Sequence, residues 1–259
     1  MQAGPDIFSE IVRLREKRVP FSMATIVQVS GSAPRGVGTR MLVTADGRAI
    51  GSIGGGVLER AVKEFCIGSL SSGKSMLKDF GLDGKGGAMA CGGKVKVFIE
   101  PVLPESRLFI LGSGHVARAL GSLASFCNLY TLVFDRKEAI HDKSAFAWAK
   151  EIIKVNDFRH AFFEKKPETD DFIIIATGSH NDDLDSVEAA LDTKACFIGL
   201  LGSKRKWEGF SKKLSDQGVS KKELSRVFCP VGLSIGAQGP EEIAVSIVSQ
   251  IISKIRQKP

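Results

Sequence analysis

The chain of 259 residues (27.8 kDa) is 43% hydrophobic and 25% charged, with a mean hydropathy of +0.05, the make-up of a globular protein of one or two domains. These values exclude a disordered chain, a fibrous repeat and a disulfide-rich mini-protein. A balance of 36 basic against 29 acidic residues leaves a net charge of +7, which permits anionic partners without choosing among them.

No apolar run approaches the roughly 20 residues needed to cross a bilayer, and the segment Met1-Gln-Ala-Gly-Pro-Asp6 carries no secretory pattern. A cytoplasmic protein with no membrane partner is the expectation. The five cysteines, at 66, 91, 127, 196 and 229, form an odd set without a Cys-x-x-Cys pair. That pattern speaks against a disulfide framework and a structural zinc site, so no metal ligands are assigned.

In chain order, Asp6 caps a predicted helix reaching about Arg18, with Ile7, Phe8, Ile11, Val12 and Leu14 as its apolar stripe. Strands are predicted at Phe21–Val29, Arg40–Thr44 and Lys94–Ile99, and a helix from near Gly56. Seventeen of the 28 glycines fall in the first 103 residues, between these elements. They read as tight turns and close backbone approaches in a small ordered α+β domain rather than as a flexible linker. The steps Glu100-Pro101 and Leu103-Pro104 punctuate the chain and set a boundary, giving domains 1–103 and 104–259. Beyond it, strands at Leu108–Leu111, Leu129–Phe134, Phe172–Ala176 and Cys196–Leu200 alternate with helices at Val116–Phe126 and at about 182–191, 203–216 and 240–256. Strands alternating with helices imply a doubly wound parallel sheet. The fold class is therefore α/β: a small Gly-rich α+β domain followed by a Rossmann-like domain.

Several segments carry chemistry. Gly31, Ser32 and Arg35 in Ser30-Gly-Ser-Ala-Pro-Arg35, with Gly54, Gly55 and Gly56 ahead of a helix, offer backbone N–H donors and a guanidinium to a phosphate or carboxylate. Cys91, followed by Gly92 and Gly93, sits on a Gly-rich stretch and is the thiol placed best as a sulfur ligand or nucleophile. Gly112-Ser-Gly114-His115-Val-Ala117 is a Gly-x-Gly-x-x-Ala turn between a strand and a helix, and Asp135 ends the next strand, where an acid accepts from ribose hydroxyls. The distal half adds His180, a candidate general base, and Gly202-Ser-Lys-Arg205-Lys206. Residues 204–226 hold eight basic side chains against three acids, a run that suits a solvated helix face, a phosphorylated cofactor or an acidic partner.

In order and spacing these segments resemble the XdhC/CoxI family, accessory proteins for maturation of xanthine dehydrogenase and related molybdenum hydroxylases. The resemblance rests on Gly-Ser-Ala-Pro-Arg at 31–35, Gly-Ser-Ile-Gly-Gly-Gly at 51–56, Cys-Gly-Gly at 91–93, Gly-x-Gly-His-Val-Ala-Arg-Ala-Leu at 112–120, Gly-Ser-x-Arg-Lys at 202–206 and Pro-Glu-Glu-Ile-Ala-Val-Ser-Ile at 240–247. It implies an XdhC/CoxI-type domain joined to an XdhC Rossmann domain. It also implies a chaperone that transiently binds molybdenum cofactor (molybdopterin), assists its sulfuration by a cysteine desulfurase and delivers it to a xanthine dehydrogenase-type molybdoenzyme. Such a protein is a maturation factor more than an enzyme, and a homodimer is expected. On this reading Cys91 and the 54–56 glycines contact the cofactor, and Arg205 joins the binding set. The chain departs from the family pattern at Ser234, where an aspartate is usual, at Gly239, where a threonine precedes Pro-Glu-Glu, and at Arg35-Gly-Val-Gly-Thr-Arg40-Met41. The alternative reading is an NAD(P)-dependent oxidoreductase using Gly112, Gly114 and Asp135. Nucleic-acid binding is not expected, for no reading module accompanies the basic charge.

Overall fold

A computed structural model describes residues 6–83, 90–136 and 143–257. The chain divides into two compact units between Pro104 and Glu105.

The first unit runs α1 (Ile7–Glu16), β1 (Phe21–Ser30), β2 (Arg40–Thr44), β3 (Ala49–Gly51), α2 (Gly56–Ser72), β4 (Met76–Asp83) and β5 (Ala90–Val102). Its five strands form one antiparallel sheet in the order β3-β2-β1-β5-β4. Alternation sends Ala24, Ile26, Met41, Val43, Val95, Val97 and Ile99 to one face, where they pack with Leu58, Val62 and Cys66 of α2. Phe21 and Leu42 meet Leu14 of α1 in a separate cluster. The apolar stripe of α1 divides: Ile7, Ile11 and Leu14 turn inward, while Phe8 and Val12 stay 60% and 56% exposed. Phe8 instead lies under the Arg40 guanidinium, 5.4 Å from its ring centre. Asp6 caps this helix as its position predicts, its carboxylate accepting from Ser9 N–H at 3.0 Å.

The second unit follows as β6 (Arg107–Leu111), α3 (His115–Phe126), β7 (Tyr130–Arg136), β8 (Glu151–Val155), β9 (Phe172–Ile175), α4 (His180–Leu191), β10 (Phe197–Leu200), α5 (Lys204–Asp216), α6 (Lys221–Leu224), β11 (Val227–Phe228) and α7 (Pro240–Arg256). Short 3-10 turns occupy Lys143–Phe146 and Phe158–His160. All six strands are parallel in the order β11-β10-β9-β6-β7-β8. Numbered within the unit, that is the 3-2-1-4-5-6 order of the Rossmann fold, with its switch point between β6 and β9. The apolar runs of β6, β7, β9 and β10 are buried because helices cover both faces. Ala117, Leu120, Ile247 and Ile251 of α3 and α7 pack on one face. Leu184, Val187, Phe210 and Leu214 of α4 and α5 pack on the other. The α/β class and its two-part character stand as the sequence implies.

Candidate functional site

In the first unit the three glycine-rich segments meet. The loop after β1 carries Gly31, Ser32, Pro34 and Arg35, and it lies against both of the others. Ser32 forms a lone parallel bridge with Gly92. A Cβ on Gly93 would collide with the Ser32 carbonyl oxygen, so this close passage of two backbones requires glycine. At the other end of the loop, Pro34 and Arg35 cover Gly54, where an added Cβ would sit 2.6 Å from Pro34 Cγ and 3.0 Å from Arg35 Cγ. Segments far apart in sequence thus form one backbone cradle.

The cradle is rich in donors. Helix α2 begins at Gly56 after the N-cap Gly55, and no side chain caps it. The first turn therefore presents main-chain N–H groups with the positive end of the helix dipole. Gly56 and Gly92 have open space where a Cβ would stand, which leaves their backbones accessible. Ser32, Arg35, Gly55 and Gly92 are exposed. Behind them, Glu59 accepts from the Ser52 hydroxyl, and Ser52 Oγ in turn accepts from Gly54 N–H at 3.3 Å. This fixes the turn ahead of α2. The Arg35 guanidinium makes no hydrogen bond or ion pair among the described residues, while Arg40 is engaged with Phe8. Such a set suits a polyoxyanionic ligand.

Cys91 is the second residue of β5, not part of a loop ahead of it, because β5 starts four residues before the predicted strand and pairs Ala90 with Asp83. Its side chain lies outside the described residues, as do residues 84–89 of the same stretch. Of the other thiols, burial pushes Cys66 up to about 12. Burial also raises Cys229, more than the nearby Lys206 ammonium lowers it. Neither is poised as a thiolate. Cys196 is exposed, with its thiol donating to the Asp171 carbonyl at 3.4 Å.

The second unit gathers another set at the C-terminal ends of its strands. Gly112 follows β6 with φ of +109°, and a Cβ there would collide with the Ala176 carbonyl, so the turn hugs the loop after β9. Its N–H donates to the Phe134 carbonyl at 2.7 Å. Gly114 is the N-cap of α3, again with no side-chain cap, and His115 is the exposed first helical residue. Asp135 is the last residue but one of β7 and is half-buried. His180 opens α4 and sits edge-on to Phe210, ring centres 4.8 Å apart. Arg205 is exposed in the first turn of α5, and its neighbour Lys206 is the one turned inward.

That lysine belongs to a cluster sequence reasoning missed. Asp183, 2% exposed, accepts from Lys206 Nζ and from Thr177 Oγ1 at 2.6 Å and Thr177 N at 3.2 Å. The network ties α5 to the loop after β9. Helical spacing carried a signal: Lys206 heads the stripe Lys206, Phe210, Leu214, and Asp183 heads Asp183, Val187, Leu191, both otherwise buried and apolar. Among the described residues no group of three or more His, Cys, Asp or Glu could hold a metal ion, and no helix is long and apolar enough to cross a membrane.

Comparison with known proteins gives the chain a family. Residues 14–81 match the XdhC and CoxI family, and residues 108–251 match the XdhC Rossmann domain. The chain is 34% identical over 258 residues to YqeB of Escherichia coli (strain K12), covering 98% of this chain and 47% of that protein. It is 32% identical over 157 residues to a probable xanthine dehydrogenase subunit of Bacillus subtilis (strain 168), covering 60% and 45% respectively. The molybdenum cofactor insertion chaperone PaoD of Escherichia coli (strain K12) is 23% identical over 284 residues, covering 89% and 82%. The chain thus spans about half the length of the first two relatives and most of the third. A crystal structure described as a xanthine dehydrogenase from Bacillus halodurans aligns over 97% of this chain and 96% of its own, at 26% identity and a TM-score of 0.53. The chain belongs to the XdhC and CoxI family, with its Rossmann domain in the second unit.

Proposed function

We propose that this chain is a molybdenum cofactor chaperone whose first unit holds the cofactor in the glycine cradle. It would shelter the cofactor during sulfuration by a cysteine desulfurase and hand it to a xanthine dehydrogenase-type molybdoenzyme. The observation that carries this reading is the convergence of Gly31–Arg35, Gly54–Gly56 and Gly92–Gly93 on one patch. The names of two relatives support it, one given as part of a xanthine dehydrogenase and the other as a molybdenum cofactor insertion chaperone.

The residues fit such a cargo. Molybdopterin combines a flat, hydrogen-bonding pterin with a phosphate ester. Main-chain N–H groups at Gly55, Gly56 and Gly92 suit its anionic oxygens, and Arg35 supplies a fork that can take phosphate in two hydrogen bonds. Cys91, one residue ahead of Gly92, is the candidate sulfur ligand on this unit. The chain then works by holding and releasing, as a homodimer that needs no catalytic residue of its own. A cell lacking the gene should make a molybdenum hydroxylase of the xanthine dehydrogenase type with at least about tenfold lower specific activity, restored by the wild-type chain and not by Arg35→Ala. Full activity in the deletion strain would refute the reading.

A second reading concerns the other unit. The 3-2-1-4-5-6 strand order and the tight Gly112 turn favour a nucleotide at the β6–β9 switch point, in contact with Gly114, His115 and Asp135. Whether it serves an NAD(P)-dependent oxidation or tunes the chaperone is decided by testing for hydride transfer once binding is measured.

A further inference from the structure

The two residues that end β7 define the ligand of that second site more narrowly. Asp135 and Arg136 are adjacent, so strand alternation sends them to opposite faces of the sheet. Leu132 and Phe134 pack in the cluster shared with α4, whereas Val133 packs with Phe146 on the other side. Arg136 shares the face of Leu132 and Phe134. Its guanidinium carbon lies 5.8 Å from the centre of the Phe158 ring. Nη1 donates to the Asn156 carbonyl at 3.0 Å, and Nε and Nη2 both donate to the Asp182 carboxylate. All three nitrogens of the guanidinium are therefore occupied.

Asp135 falls on the opposite face, the one that α3 covers. One carboxylate oxygen accepts from Arg136 N–H at 2.7 Å, and the other has no partner among the described residues. Between the two glycines of the turn, Ser113 is only 6% exposed, yet its hydroxyl has no hydrogen-bond partner among the described residues. Its oxygen is not sealed from solvent, so it is open to a hydrogen bond with water or a ligand. The uncapped first turn of α3 stands beside it.

We propose that this edge binds a dinucleotide of the NAD type, with a free 2′-hydroxyl on the adenosine ribose, and rejects the 2′-phosphorylated form. The proposal rests on the nucleotide reading given above for the second unit. Asp135 accepts from the ribose diol, while the α3 N-terminus and Ser113 meet the pyrophosphate. A 2′-phosphate would face the Asp135 carboxylate, and the arginine that would neutralise it is held on the other face by Asp182 and Asn156.

Isothermal titration of the full chain with NAD+ and NADP+ tests this. The wild type should bind NAD+ about tenfold or more tightly than NADP+, the scale of a hydrogen bond to a charged group. Asp135→Ala, or Asp135→Asn if the alanine variant does not fold, should weaken NAD+ about tenfold and erase the difference. Arg136→Ala should leave both affinities within about twofold, because its guanidinium does not meet the ligand. Equal or tighter binding of NADP+ by the wild type overturns the inference while leaving a nucleotide site in place. So does selective loss of NAD+ binding in Arg136→Ala. Binding of neither dinucleotide at millimolar concentration overturns both the inference and the nucleotide reading.

Discussion

Among the described residues, the two most deeply buried carboxylates of the second unit are each held by a basic side chain, and that shapes what single substitutions do. Asp171 is fully buried at the start of β9, where it accepts from Arg107 N at 3.0 Å, Arg107 Nε at 3.1 Å and Glu168 N at 2.8 Å. Asp183 is held the same way by Lys206 and Thr177. Removing one partner strands the other charge, so Lys206→Met should lower unfolding free energy by about 3–5 kcal/mol, read from urea denaturation. The double change Lys206→Met with Asp183→Asn should cost much less, since no charge is then left buried. Gly112→Ala forces a Cβ onto the Ala176 carbonyl at a left-handed φ and should cost about 1–3 kcal/mol in the same assay. The Cys66 thiol gives a pH signature. Its folded value is pushed up to about 12 from 9.0, so above pH 9 the unfolded chain sheds a proton that the folded chain keeps. Its contribution is complete below pH 9 and is lost as pH climbs toward 12, so alkaline denaturation should be delayed in Cys66→Ala relative to its own neutral-pH stability.

At the scale of elements, legibility follows burial. Central strands β1, β2, β6, β7, β9 and β10 announce themselves as apolar or alternating runs because both of their neighbours and at least one covering layer demand it. The four strands that the sequence pattern does not reveal, β3, β4, β8 and β11, are the edge strands of the two sheets. An edge strand pairs on one side only and carries weaker patterning, as Met76-Leu-Lys-Asp-Phe-Gly-Leu-Asp83 and Glu151-Ile-Ile-Lys-Val155 show. Helix starts are legible where a capping residue marks them, as at Asp6, and less so at α4, which begins at His180 after the cap Ser179, two residues ahead of the predicted start. The glycine segments are legible as turns, but their meeting is not, because it depends on how the loop after β1 folds back over Gly54 and Gly93. Gly93→Ala should therefore disturb the cradle selectively. Hydrogen exchange of the backbone amides at 31–35 should accelerate at least about tenfold while the β1 core amides change little, since local opening need not involve global unfolding. Equal acceleration in both would mean that the segment has no local role.

For the whole molecule, the basic surplus divides into structure and surface. Of the eight basic residues at 204–226, Lys206 is engaged with Asp183, and Arg226 donates to the Leu191, Thr193 and Ala195 carbonyls, closing the C-terminal end of α4. The remaining six are exposed and set the charge of that surface. The proposed function, by contrast, rests on the first unit, where neutral glycine backbones and Arg35 form the proposed cradle. The most direct test is to purify the full chain from a host that makes molybdopterin and to quantify bound pterin and molybdenum together. The account expects both to copurify in near-equal amounts with the wild type and to fall at least about tenfold with Arg35→Ala, the scale of a charge-assisted hydrogen bond to phosphate. Wild-type protein that carries neither pterin nor molybdenum, while remaining folded, would contradict it.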